Sequence, residues 1–125
     1  MNEPTISKIS TRLKALSDPT RIKILVMLSK KACCVCELTA ALELAQPTIS
    51  RHLKQLELAG FVTGTREKNW IIYRISPMED CCRQLLNIVI VRAEQDPEAR
   101  QLLERLQSMN RNCLTNTGKT FEAVP

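Results

Sequence analysis

The chain lacks any apolar run long enough to cross a bilayer. Its longest is LLNIVIV at residues 85–91, well short of the about 20 residues a spanning helix needs. No basic segment followed by an apolar stretch stands at the start, so nothing reads as a secretory signal, and the expected compartment is the cytoplasm. Aromatics make up only 3% of the residues. A core must then come from Leu, Ile, Val and Ala, which interdigitate well between helices, and a mainly α protein is expected. Histidine occurs once, at His52, leaving little acid–base machinery for catalysis. No CxxC sits on a βαβ pattern either, so a dithiol reductase is disfavoured and no enzymatic activity is expected. Internal repeats and low-complexity tracts are absent.

What is present bounds the answer further. With 125 residues, 44% of them hydrophobic, the chain can bury one core but is too short for two ordinary domains. One domain is expected over 1–109, followed by a polar, frayed tail over 110–125. A formal net charge of +5 and a pI near 9.0 suit a polyanionic partner, although many soluble proteins match that excess. Six cysteines occur as CCVC at 33–36, CC at 81–82 and Cys113. In a reducing cytosol such clusters read as free thiols or metal ligands rather than disulfides.

Along the chain, Ile6, Ile9, Leu13 and Leu16 recur at helical spacing, and Ser17-Asp18-Pro19 then supplies an N-cap and an initiating proline. The second helix carries Ile22, Leu25, Val26 and Leu28 as one stripe. A short third helix is expected over 35–42, with Leu38, Ala41 and Leu42 inward, and Pro47 opens a fourth whose apolar face is Ile49, Leu53 and Leu56. Gly60 is placed to end it. Residues 61–63 and 70–75 read as two strands joined by a loop over 64–69. Ser76-Pro77-Met78-Glu79 matches a capping box launching a fifth helix to about Glu94, and Asp96-Pro97 restarts a last amphipathic one.

Helices followed by a β-hairpin make a winged helix-turn-helix, mainly α with a β-hairpin wing, whose reading unit is the pair at 35–42 and 46–59. At 100° per residue, Thr48, Arg51, Lys54 and Gln55 lie opposite the Ile49/Leu53/Leu56 stripe. Such groups read major-groove edges and grip phosphates, though an ordinary solvated helix face carries them too. The wing tip adds Arg66, Lys68 and Asn69, suited to backbone phosphate or a minor groove, and the two features together favour DNA. An interaction module would instead show an apolar or acidic face there. His52 falls at the border of the apolar stripe and reads as a structural or phosphate-positioning residue rather than a metal ligand.

The thiols carry their own chemistry. If Glu37 is the third residue of the third helix, Cys34 is its N-cap, and 34–37 is a capping box with cysteine in place of serine or threonine. Losing a good cap costs about 1 kcal/mol, so the sulfur reflects drift or a purpose a hydroxyl cannot serve. Two residues apart in a regular helix, Cys34 and Cys36 point about 200° from each other, whereas in an extended segment they share a face. Metal capture is then expected to unwind the first turn of this helix and shift the reading helix packed on it.

SDPTRIKILVML, CVCEL, QPTISRHLKQLELAGFV and WIIYRISP together resemble the ArsR/SmtB family of metal-responsive repressors over roughly residues 8–92. The resemblance implies a homodimer joined through its first and fifth helices, recognition helices in successive major grooves of an imperfect palindrome, and repression relieved by metal. It adds Gln46 and Ser50 as DNA contacts. Soft thiolates select soft ions, so trivalent arsenic or antimony is the expected inducer, with no organic cofactor. The family's arsenical repressors carry CxCxxC here, and this chain departs from it with Thr39 at the third position. Cys33 is the substitute ligand beside Cys34 and Cys36. Cadmium and lead sensors of the family add cysteines from an N-terminal arm, and no cysteine precedes Cys33. Zinc sensors use Asp and His pairs on the fifth helix, which has no histidine here. Cys81 and Cys82, sharing apolar faces with Met78, Leu85, Ile88 and Val89, read either as small buried hydrophobes or, with Cys113, as a second arsenical site. A redox repressor using the same thiols, with Lys30 and Lys31 beside Cys33 activating it, is the rival reading.

Overall fold

Three of the helices carry a proline in their first turn, where it is preorganised for the helix and has no N–H to leave unpaired. The computed structural model describes residues 5–109. It contains α1 (Thr5–Leu16), α2 (Pro19–Lys30), β1 (Cys33–Cys34), α3 (Val35–Leu42), α4 (Gln46–Leu58), β2 (Val62–Glu67), β3 (Trp70–Ile75), α5 (Asp80–Ala93) and α6 (Pro97–Gln107). Prolines 19, 47 and 97 open α2, α4 and α6. The Asp18 carboxylate caps α2 by accepting from the Arg21 N–H at 3.0 Å, and the Asp96 carboxylate caps α6 from the Glu98 N–H at 2.8 Å. The fold is therefore the expected winged helix-turn-helix. The expected tail over 110–125, with Cys113, lies outside the described residues.

Ile49, Leu53 and Leu56 of α4 are fully buried and meet Leu38 and Ala41 of α3, Leu25 and Leu28 of α2, and Cys82, Leu86 and Ile90 of α5 in one core. The stripe expected on α2 is too narrow. Ile24 through Ser29 are all buried, because α2 is packed by α4, α5, α6 and β3 on different sides. At the end of α4, Gly60 adopts φ +90, and a Cβ there would lie 3.1 Å from the Met78 Cβ. Glycine meets both demands.

The wing departs from expectation in two ways. Residues 64–67 are strand rather than loop, so β2 and β3 pair antiparallel from Val62↔Ile75 to Glu67↔Trp70, and only Lys68 and Asn69 form the turn, with Lys68 at φ 58. A third strand, β1, adds to the sheet in the order β1-β3-β2, with Cys33 opposite Tyr73 and Cys34 opposite Ile72. Gly64 lies beneath the Tyr73 ring, where a Cβ would come within 2.7 Å. Burial raises the Tyr73 hydroxyl above its ordinary pKa, with the nearby charge of Glu57 adding to the shift.

The capping box expected at residues 76–79 does not form. The Ser76 N–H donates to Phe61 O at 2.9 Å and the Met78 N–H to Gly60 O at 2.8 Å, holding this segment against the end of α4. Helix α5 consequently begins later, with Glu79 as its N-cap. The Glu79 carboxylate turns to α1, accepting from Arg12 at 2.7 Å and Lys8 at 3.3 Å. These two hydrogen bonds, Arg12 foremost, hold Glu79 below the ordinary carboxylate range, and the Glu79 bond raises Arg12.

Candidate nucleic-acid interface and thiol cleft

The reading face follows from the burial of α4. Because Ile49, Leu53 and Leu56 are pulled into the core, Gln46, Ser50, Arg51, Lys54 and Gln55 are exposed and Thr48 is half-buried. Arg51 reaches back one turn toward the Thr48 hydroxyl, and the wing tip presents Arg66, Lys68 and Asn69, all exposed. The helix face and the wing thus offer cations and hydrogen-bonding groups on two separate elements, an arrangement suited to phosphates and base edges.

His52 is half-buried and turned toward the start of α2, with Nδ1 3.1 Å from an Arg21 guanidinium nitrogen and 3.8 Å from the Asp18 carboxylate. Arginine has no acceptor, so in this contact Arg21 donates and Nδ1 accepts. Arg21 also donates to Ala15 O at 2.7 Å and to Lys14 O at 3.3 Å, tying the end of α1 to α2 and α4. Arg21 as the partner of His52 was not legible in the sequence, since it precedes His52 by 31 residues.

At the start of α3, Cys34 is the N-cap, with φ −82 and ψ 165, and the Glu37 carboxylate takes the Cys34 N–H at 3.3 Å. The expected capping box, sulfur included, is therefore built. Glu37 itself is buried and balanced by Lys31 Nζ at 2.5 Å.

Unwinding of α3 is not needed to bring the thiols together, which corrects the expectation from helical spacing. Cys34 and Cys36 are joined as a disulfide with Cα atoms 5.3 Å apart while α3 begins regularly at Val35. The 200° divergence applies only when both residues are helical, and the N-cap backbone is extended. The free-thiol expectation for this pair is corrected in the same way.

Cys33 is not brought to the pair. Successive side chains of a strand point to opposite faces, so Cys33 enters the main core while Cys34 enters a small cluster with Ala32 and Ile72, covered by Trp70. The Cys33 sulfur donates to Lys31 O at 3.4 Å. Among the described residues no three Cys, His, Asp or Glu side chains converge on a common point. Cys82 is buried with its sulfur 3.8 Å from Ala59 O, while Cys81 is half-buried.

Cys34 and Cys36 open onto a cleft shared with Thr39, with Gln46 at the first turn of α4, and with Arg66, Asn69 and Trp70 of the wing. Trp70 as a wall of this cleft was missed, because the two-residue strand that aligns Cys34 with β3 has no periodicity to read.

Comparison with known proteins agrees with this arrangement. The pattern of the bacterial regulatory protein, arsR family, matches residues 18–63. The chain is 48% identical over 65 residues to an arsenic resistance transcriptional regulator of Pseudomonas putida, covering 51% of each chain. It is 37% identical over 83 residues to an arsenical resistance operon repressor of Staphylococcus xylosus, covering 66% of this chain and 80% of that one. Among solved structures, HlyU from Vibrio cholerae superposes with a TM-score of 0.64 at 28% identity, over 76% of this chain and 100% of that one. The chain spans about half the length of the first curated relatives it matches. With this fold, and with the matching pattern seated on the helix-turn-helix, the chain belongs to the ArsR family of bacterial regulatory proteins.

Proposed function

We propose that this chain is a transcriptional repressor that binds operator DNA, an imperfect palindrome, as a cytoplasmic homodimer and lets go when trivalent arsenic or antimony is taken up by Cys34 and Cys36. The observation that carries the reading is the shared cleft, in which two converging sulfurs stand beside the first residue of the reading helix and the tip of the wing. Thiolates are soft ligands suited to such ions, and relatives bear arsenical-resistance names. Gln46, Thr48, Ser50, Arg51, Lys54 and Gln55 serve the major groove, Arg66, Lys68 and Asn69 the flanking backbone, and His52 a phosphate. Exposed Ile6, Ile9 and Leu13 on α1 and Ile88 on α5 are the apolar surface a second copy would cover.

Coupling runs through the sheet. Cys34 pairs with Ile72 of β3, and β3 pairs with β2 up to the wing tip. Cys34 and Cys36 would hold the ion in the cleft that Gln46 and Arg66 also line, at one end of that ladder. DNA anisotropy on reduced protein tests the reading. Arg51→Ala should weaken operator binding and leave metalloid binding intact, while Cys34→Ser should bind DNA and no longer release it. Normal release from Cys34→Ser by arsenite would sink the assignment.

The disulfide between Cys34 and Cys36 favours a second reading, a redox repressor using the same pair. Peroxide releasing DNA from the reduced protein while arsenite does not would select it.

A further inference from the structure

We propose that the Cys34–Cys36 cleft prefers monosubstituted trivalent arsenicals, R–As(OH)2 with R a small alkyl group, over inorganic arsenite; this rests on the reading of the cleft as the inducer site. Among the described residues the cleft supplies two thiols and no third. Cys33 lies on the opposite face of β1, where its backbone is paired with Tyr73, and turning it over would break that pairing. Position 39, one turn beyond Cys36 on the same cleft, is a threonine whose hydroxyl donates to Cys36 O at 2.9 Å. An alcohol is a hard ligand and does not replace a thiolate on a soft centre.

Arsenite has three exchangeable hydroxides, and on two thiols it keeps one polar As–OH. A monosubstituted arsenical has two, and its third position is already filled by carbon. The side chains available to that carbon are those of Val35, Trp70 and Ile71, with Trp70 packed on the Cys34 cluster. The exposed Gln46, Arg66 and Asn69 line the rest of the cleft.

The chemistry balances. A small-molecule thiol first reduces the disulfide, Cys34–S–S–Cys36 + 2 R′SH → two cysteine thiols + R′SSR′. Then R–As(OH)2 + 2 Cys–SH → R–As(S–Cys)2 + 2 H2O. Two As–O bonds break and two As–S bonds form, each thiol proton leaves with a hydroxide as water, and arsenic stays trivalent.

The chain has one tryptophan, so Trp70 emission reports occupancy directly. Reduced full-length protein should be titrated with methylarsonous acid and with arsenite under anaerobic conditions, with adduct mass and operator release read in parallel. One equivalent of methylarsonous acid should bind about tenfold more tightly than arsenite, the discrimination one apolar carbon earns in a fitted pocket. Binding should vanish in Cys34→Ser and in Cys36→Ser and persist in Cys33→Ala. Thr39→Cys, which completes a third thiol, should reverse the preference toward arsenite. Arsenite binding as tightly as the methyl compound in the unmodified protein, or losing its site in a folded Cys33→Ala, overturns the selectivity while leaving the inducer site standing. Neither compound moving Trp70 emission nor forming an adduct lost in Cys34→Ser overturns both.

Discussion

Arg51→Ala and Arg66→Ala should each flatten the salt dependence of operator binding, by an amount the exposed charges set. Arg51 and Lys54 on α4 and Arg66 and Lys68 on the wing are all exposed, and one phosphate for each would give about eight contacts in a homodimer and a slope of log K against log salt of about −7. Raising salt from about 50 to 200 mM should then cost about 10⁴ in affinity. A substitution removing one contact per protomer should reduce the slope to about −5. Fluorescence anisotropy of a labelled operator at four or five salt concentrations measures it. If Arg51 reads a base edge instead, the wild-type slope is itself about −5, Arg51→Ala leaves it there, and discrimination among operator variants falls by about 1–3 kcal/mol. A wild-type slope no steeper than about −2, unchanged in both variants, would refute the placement of DNA on this face.

Leu53→Ala removes a fully buried side chain where α4 meets the core, and urea denaturation should show a loss of about 2–5 kcal/mol. The Glu79 carboxylate, held below the ordinary carboxylate range by Arg12 and then Lys8, adds stability that is fully present above that range and is lost as pH falls through its depressed folded value. Glu79→Gln should therefore flatten the acid limb of the stability profile, and an unaltered limb would show that the α1–α5 tie contributes nothing.

The helices were legible because their signals are local and redundant. The Asp18 and Asp96 caps, the prolines after them and the Ile49/Leu53/Leu56 spacing each coincide with an observed helix. Expectation failed where partners distant in sequence decide the outcome. Residues 76–79 have a capping-box pattern, yet backbone bonds to Gly60 and Phe61 and the pull of Arg12 on Glu79 displace the helix start. Two residues carry no strand periodicity, so β1 was invisible, and with it the alternation that separates Cys33 from Cys34. The capping role of Cys34 was readable from the Glu37 spacing, but its consequence, an extended N-cap that lets the two sulfurs meet beside a regular helix, needed the backbone angles.

The most direct test of the account is operator release from the reduced protein by a trivalent arsenical, measured side by side with Cys34→Ser and Cys36→Ser. Release from the wild type is expected at about one equivalent per protomer and from neither variant, with DNA affinity before addition unchanged in all three. Release that survives both substitutions would contradict it, and would move the sensing chemistry away from the cleft between the reading helix and the wing.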